Sequence, residues 1–94
     1  MVKALVNHKV ADYNTWLPHF EKHAEKRVPA GCLKAEVFRN SDDPNNVFIL
    51  FDWKDADSFK KFGESPDLAE TMKAAGVMGP PTMTILESAN NYPG

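Results

Sequence analysis

Val47-Phe48-Ile49-Leu50-Phe51-Asp52-Trp53 is the stretch on which the fold turns. A strand in a sheet with one wet face alternates apolar and polar side chains, because successive residues point to opposite faces. This one is apolar on both sides through Phe51. Val47, Ile49, Phe51 and Trp53 share one face, and Phe48 and Leu50 share the other. Both faces of the sheet that holds it therefore need cover.

Upstream lies Asn40-Ser41-Asp42-Asp43-Pro44-Asn45-Asn46, dense in turn formers. Before it, Leu33 to Arg39 alternates and reads as a strand, so the two form a wide hairpin. Val2 to Val10 is a further strand, with Ala4, Val6, His8 and Val10 on one face and Lys3, Leu5, Asn7 and Lys9 on the other. Between these strands Tyr13, Trp16, Leu17, Phe20, Ala24 and Val28 recur at helical spacing. Asp12 or Asn14 caps that helix, Pro18 predicts a late start or a kink in its first turns, and Pro29-Ala30-Gly31 ends it. Downstream, Asp55 or Asp57 caps a short helix with Phe59 and Phe62 on its apolar edge, and Gly63-Glu64 breaks it. Ser65-Pro66-Asp67 restarts a helix carrying Leu68, Met72 and Ala75, with Ser65 as N-cap and Gly76 at the end. Val77-Met78-Gly79-Pro80-Pro81 reads as a rigid connector, and Thr82 to Glu87 as the last strand.

The order β-α-β-β-α-β predicts a ferredoxin-like α+β domain over residues 1–88: an antiparallel sheet with helices on one face. Residues 89–94 form a polar tail expected to fray. Helices cover only one side of such a sheet. Phe48 and Leu50, joined by Phe38, Leu5 and Ile85 or Leu86, are left on the other. An open apolar face of that kind is rare on a monomer, and the same face of a second copy covers it most simply. A homodimer is therefore expected.

With 94 residues, a formal net charge of -2 and no block of like charges, the chain has no electrostatic footprint for nucleic acid or a membrane surface. No apolar run approaches the ~20 residues of a membrane span, and Met1-Val2-Lys3-Ala4-Leu5 lacks the pattern of a secretory signal. The single cysteine, Cys32, makes no internal disulfide and fits a reducing, cytoplasmic setting as an inert packing residue.

His8 is the leading candidate for chemistry. It stands mid-strand on the face turned to the helices, and imidazole titrates near neutrality, as a general base must. A core histidine bonded to a neighbour is the competing reading. Trp16 and Trp53 either line a cavity that stacks a flat ligand or anchor the core. Asn7 adjoins His8 but points to the opposite face unless a bulge intervenes. His19 and His23, four apart on the first helix, have a spacing that metal sites use, yet no cysteine or His-Glu-x-x-His run accompanies them. On this reading His19 is solvated and His23 borders a pocket. No phosphate loop, nucleophile elbow or Cys-x-x-Cys pair is present.

Four segments carry a family resemblance: His8-Lys9-Val10-Ala11-Asp12-Tyr13-Asn14-Thr15-Trp16, then Phe51-Asp52-Trp53-Lys54-Asp55 leading to Phe59 and Phe62, then Ser65-Pro66-Asp67-Leu68, then Ala75-Gly76-Val77-Met78-Gly79-Pro80-Pro81. With them the chain resembles the dimeric α/β-barrel superfamily, and within it the antibiotic-biosynthesis-monooxygenase-like and small cyclase-like proteins. The resemblance implies a ligand cavity between sheet and helices and a cofactor-independent monooxygenase or cyclase acting on a small hydrophobic aromatic or polyketide-like substrate. It matches Asn7 and Trp53 to the family's first-strand asparagine and third-strand tryptophan. Joined to the reading of the residues, it gives a cofactor-free enzyme in which His8 withdraws a proton, Trp16, Trp53 and Phe59 hold the ring system, and Asn7 or His23 bonds a carbonyl or oxyanion. A non-catalytic small-molecule-binding dimer of the same fold is the alternative. The haem-degrading branch carries a histidine roughly ten residues past the tryptophan that matches Trp53. Phe62, Gly63 and Glu64 stand there in this chain, which argues against haem.

Overall fold

A computed structural model describes the chain from Met1 to Gly94. Four strands, β1 (Val2–Val10), β2 (Cys32–Arg39), β3 (Asn46–Trp53) and β4 (Val77–Leu86), alternate with two helical crossovers. The first crossover holds α1 (Tyr13–Lys22) and α2 (Ala24–Ala30), and the second holds α3 (Ala56–Gly63) and α4 (Pro66–Ala74). All pairings are antiparallel in the order β2-β3-β1-β4, the ferredoxin-like arrangement expected of the sequence.

Register follows from the double apolarity of β3. Ala4 lies opposite Phe51, Val6 opposite Ile49 and His8 opposite Val47, all turned toward the helices. Val47, Ile49, Phe51 and Trp53 are buried there with Trp16 and Phe59. Each large apolar side chain so removed from water contributes roughly 1.5–3 kcal/mol. A slip by one residue would expose this whole set, so the pairing is strongly specified. The opposite face carries Leu5 against Leu50, Asn7 against Phe48, and Phe38 against Phe48. Of the two candidates on β4, Ile85 pairs with Ala4 on the inner side, and Leu86 pairs with Lys3 on the open side.

Side chains at the element ends fix where the helices start. Asp12 rather than Asn14 caps α1, accepting from the Thr15 backbone N–H at 3.0 Å. Asn45 of the β2–β3 hairpin accepts from the Tyr13 N–H at 2.9 Å, which ties the start of α1 to the sheet. Asp55 rather than Asp57 caps α3, accepting from the Ser58 N–H at 2.7 Å.

Four expectations are corrected. The helix read as one from Tyr13 to Val28 is two, broken at His23, whose backbone (φ -68°, ψ -8°) ends α1 and opens α2. The break shifts the helical phase, so Val28 is exposed and Arg27 is buried in its place. Pro18 does not delay α1, which starts at Tyr13 and runs through it. Ser65 stands at the N-cap of α4 but its side chain makes no cap hydrogen bond. Val77 to Pro81 is not a connector but the first half of β4, where Val77 pairs with Val10 and Met78 with Lys9. Between Lys9 and Asn7 the register jumps from Met78 to Thr82, so Gly79-Pro80-Pro81 bulges opposite His8. Proline has no N–H for the ladder, and Gly79 supplies the positive φ of 77°.

Gly31 ends α2 at φ 126°, and a Cβ built there would stand 2.9 Å from Lys54 Cγ. Gly31→Ala is expected to lower stability by roughly 1–3 kcal/mol, read from the urea midpoint at constant slope. An unchanged midpoint would show that the α2–β2 junction tolerates a side chain there.

Candidate active-site cleft

A cleft opens on the helix side of the sheet, between α1, α2, α3 and α4 above and β1, β3 and β4 below. It is a cavity of about 70 Å³ within a wider space of about 580 Å³ that reaches solvent. Its walls are mainly aromatic: Trp16, Phe20, Phe51, Phe59 and Phe62. Trp16 and Phe20 stack at 4.9 Å, because residues four apart share one helix face. Met72 and Met83 complete the wall with side chains that repack easily.

His8 projects into this cleft from β1 and is 6% exposed. Its ring meets the Trp16 ring edge-on at 5.6 Å, and its Nδ1 is buried without a hydrogen-bond partner. Burial pulls its pKa below the ordinary 6.5, partly offset by the residue's own backbone. The ring is thereby held neutral near pH 7, the form that accepts a proton. The β4 bulge leaves His8 without a paired residue on that side of β1. Bulges of this kind are common beside active sites.

His23, at the joint of α1 and α2, is buried in the cleft wall, with its Nε2 3.1 Å from Asp67 Oδ2 in the first turn of α4. Its ring also lies 5.5 Å from Phe62. The pair thus links the two helical crossovers across the cleft. His19 lines the cleft as well, against the expectation of a solvated residue: one turn from His23, it is drawn to the same wall. No group of three His, Cys, Asp or Glu side chains comes together as a metal site would require.

Of the residues singled out in the sequence, the structure brings His8, Trp16, His23 and Phe59 together. It does not add Asn7 or Trp53. Asn7 points to the open face of the sheet, where its Nδ2 donates to Asn46 Oδ1 at 2.8 Å and to the Val47 carbonyl at 3.0 Å. The bulge that could have turned it inward lies on β4, not on β1. Trp53 is fully buried against Phe51, Phe59 and Phe62 and forms the core behind the cleft wall. Cys32 is a buried free thiol whose pKa burial raises, in keeping with a packing role.

Sequence reasoning missed Arg27. It is buried on α2 and lines the cleft, with its guanidinium 4.0 Å above the Phe20 ring. Its place four residues after His23 was the available signal, hidden by the assumption of one unbroken helix.

Residues 4–74 match the family model described as antibiotic biosynthesis monooxygenase. Solved structures share the fold at low identity. A Bordetella bronchiseptica protein assigned to the antibiotic biosynthesis monooxygenases superposes with a TM-score of 0.78 at 17% identity, over 95% of this chain and 97% of its own. SnoaB from Streptomyces nogalater, described as a cofactor-independent oxygenase, gives 0.77 at 16% identity, over 99% and 97% of the two chains. A Caulobacter crescentus protein assigned to the same monooxygenases gives 0.73 at 19%, over 95% and 90%. No curated protein matches the chain. No helix is long and apolar enough to cross a membrane.

The lowered pKa of His8 sets a pH dependence. Its folded value lies below the unfolded 6.5, so between the two values the unfolded chain binds more protons. The stability gained from burying the neutral ring is complete above 6.5 and is lost as pH falls through the folded value. Urea titrations from pH 7.5 to 5 are expected to show the wild type losing more stability on acidification than His8→Gln. Parallel profiles would mean that His8 is not held neutral by the fold.

Proposed function

The chain belongs to the antibiotic biosynthesis monooxygenase family, and from that premise we propose that it is a cofactor-independent oxygenase of a small, flat, hydrophobic phenol or enolisable ketone, of polyketide-like type. The observation that carries this reading is the neutral, unpaired His8 at the base of an aromatic cleft. Flat apolar walls hold a ring system, and few polar groups compete for its orientation.

In this account His8 takes a proton from the acidic C–H or O–H of the substrate. The resulting carbanion gives one electron to dioxygen, and the radical pair joins as a carbon–peroxide anion. The His8 imidazolium returns its proton to that anion, and loss of water leaves a carbonyl. The balance is one CH₂ and one O₂ converted to one C=O and one H₂O. A cyclase of the same fold would share the first step and differ only in the fate of the carbanion.

The 70 Å³ cavity is smaller than a bicyclic ligand. Binding therefore moves Met72 and Met83 and parts α4 from α1, a motion that the His23–Asp67 contact opposes. The small cavity also favours a second reading, a ligand-binding protein without turnover, which implies binding with no oxygen uptake. In either case the protein works as a homodimer, because Leu5, Phe38, Phe48, Leu50 and Leu86 form an apolar surface on the side of the sheet without helices.

Oxygen consumption with a panel of hydroxynaphthalenes and hydroxyanthrones tests the proposal. His8→Ala is expected to lower kcat by roughly 100- to 10,000-fold, the range for loss of a positioned base, with little change in KM. Turnover within about threefold of wild type would remove His8 from the role. Binding of the panel with no oxygen uptake by the wild type would favour the non-catalytic reading.

A further inference from the structure

Arg27 is a buried cation without an anion. The ion pairs of the protein are Lys3–Asp52 and Lys9–Asp43, and neither they nor the His23–Asp67 contact includes it. The Cys32 thiol beside it shares a hydrogen bond with the guanidinium but is no counter-ion, since burial raises the thiol's pKa. No Asp or Glu lines the cleft. Burying an uncompensated charge costs several kcal/mol, and a methionine of similar length would fill the same space without that cost. A group kept at such expense, 6% exposed in the wall of the cleft, is better explained by what enters than by what is already there.

The guanidinium also has a donor to spare. Nη1 donates to the Phe20 carbonyl at 2.9 Å, whereas Nε is buried with no partner. Nε–H and the Nη2 beside it form one edge of the planar fork, and no hydrogen bond of the protein occupies Nε. That edge matches the two oxygens of a carboxylate. A row of rings joins this point to His8: the guanidinium sits 4.0 Å over Phe20, Phe20 stacks on Trp16 at 4.9 Å, and Trp16 meets His8 at 5.6 Å.

We propose that the cleft takes an aromatic carboxylate, with the acid held by the free edge of Arg27 and the ring lying along Phe20 and Trp16 toward His8. The inference rests on the cleft being a ligand site and adds the charge of its ligand. Arg27 then selects acids over neutral rings and sets which end of the ligand reaches His8.

Calorimetric titration at pH 7.5 with 2-naphthoate and with its neutral isostere 2-naphthamide tests this. The wild type is expected to bind the acid about tenfold or more tightly than the amide, as a charge-assisted bidentate contact implies. Arg27→Met is expected to bring the two within about twofold while its Tm stays level or rises. Arg27→Lys, which keeps the charge but not the fork, should retain only part of the preference. Equal binding of acid and amide by the wild type overturns the inference and leaves the cleft as a ligand site. An acid preference that survives Arg27→Met removes Arg27 from the role. Failure of both probes to bind overturns the inference together with the reading of the cleft. The wild-type comparison decides even if Arg27→Met does not fold.

Discussion

The structure depends on β3 being apolar on both faces. Its inward set, Val47, Ile49, Phe51 and Trp53, fixes the register with β1 and gives α1 to α4 a surface to cover. Its outward pair, Phe48 and Leu50, finds no helix to cover it. Turning the strand over would only exchange one exposed set for the other. One strand thus dictates both a helix-covered core and a second face that asks for a partner.

The helix side is packed but not closed. The break at His23 divides the first crossover into two short helices, and the change of phase that follows brings Arg27 inward. The bulge at Gly79-Pro80-Pro81 interrupts the ladder beside His8. Each irregularity leaves a buried polar group unpaired, Nδ1 of His8 in one case and Nε of Arg27 in the other. Buried polar groups are nearly always satisfied in a finished core, and a third, Trp53 Nε1, is unpaired in the core behind the wall; the two in the wall itself are the ones the proposed ligand would meet.

The periodicity of the strands was legible because burial on one face imposes a strict alternation. The face of His8 and the outward pair Phe48 and Leu50 followed from it, and helical spacing placed Trp16 and Phe59 inward. The helical region was less legible. A stripe at helical spacing from Tyr13 to Val28 does not show the break at His23, so Arg27 drew no notice and Val28 looked buried. Gly79-Pro80-Pro81 looked like a connector because proline usually ends strands, whereas here it marks a bulge within one. Trp53 could not be assigned to cleft or core from sequence, since both environments favour a large aromatic. Asn7 was drawn into the candidate site by family likeness, although the alternation that placed His8 inward placed Asn7 outward.

The division of the sheet into a ligand face and a partner face is the central claim, and the molar mass of Leu50→Lys beside the wild type tests it most directly. Leu50 sits on the open face opposite Leu5, away from the cleft, so a lysine there puts a charge into the proposed interface without touching the core. Sedimentation velocity at micromolar concentration should give a dimer for the wild type and a monomer with unchanged circular dichroism for the variant. A wild type that sediments as a monomer would contradict the account, as would a variant that remains a dimer.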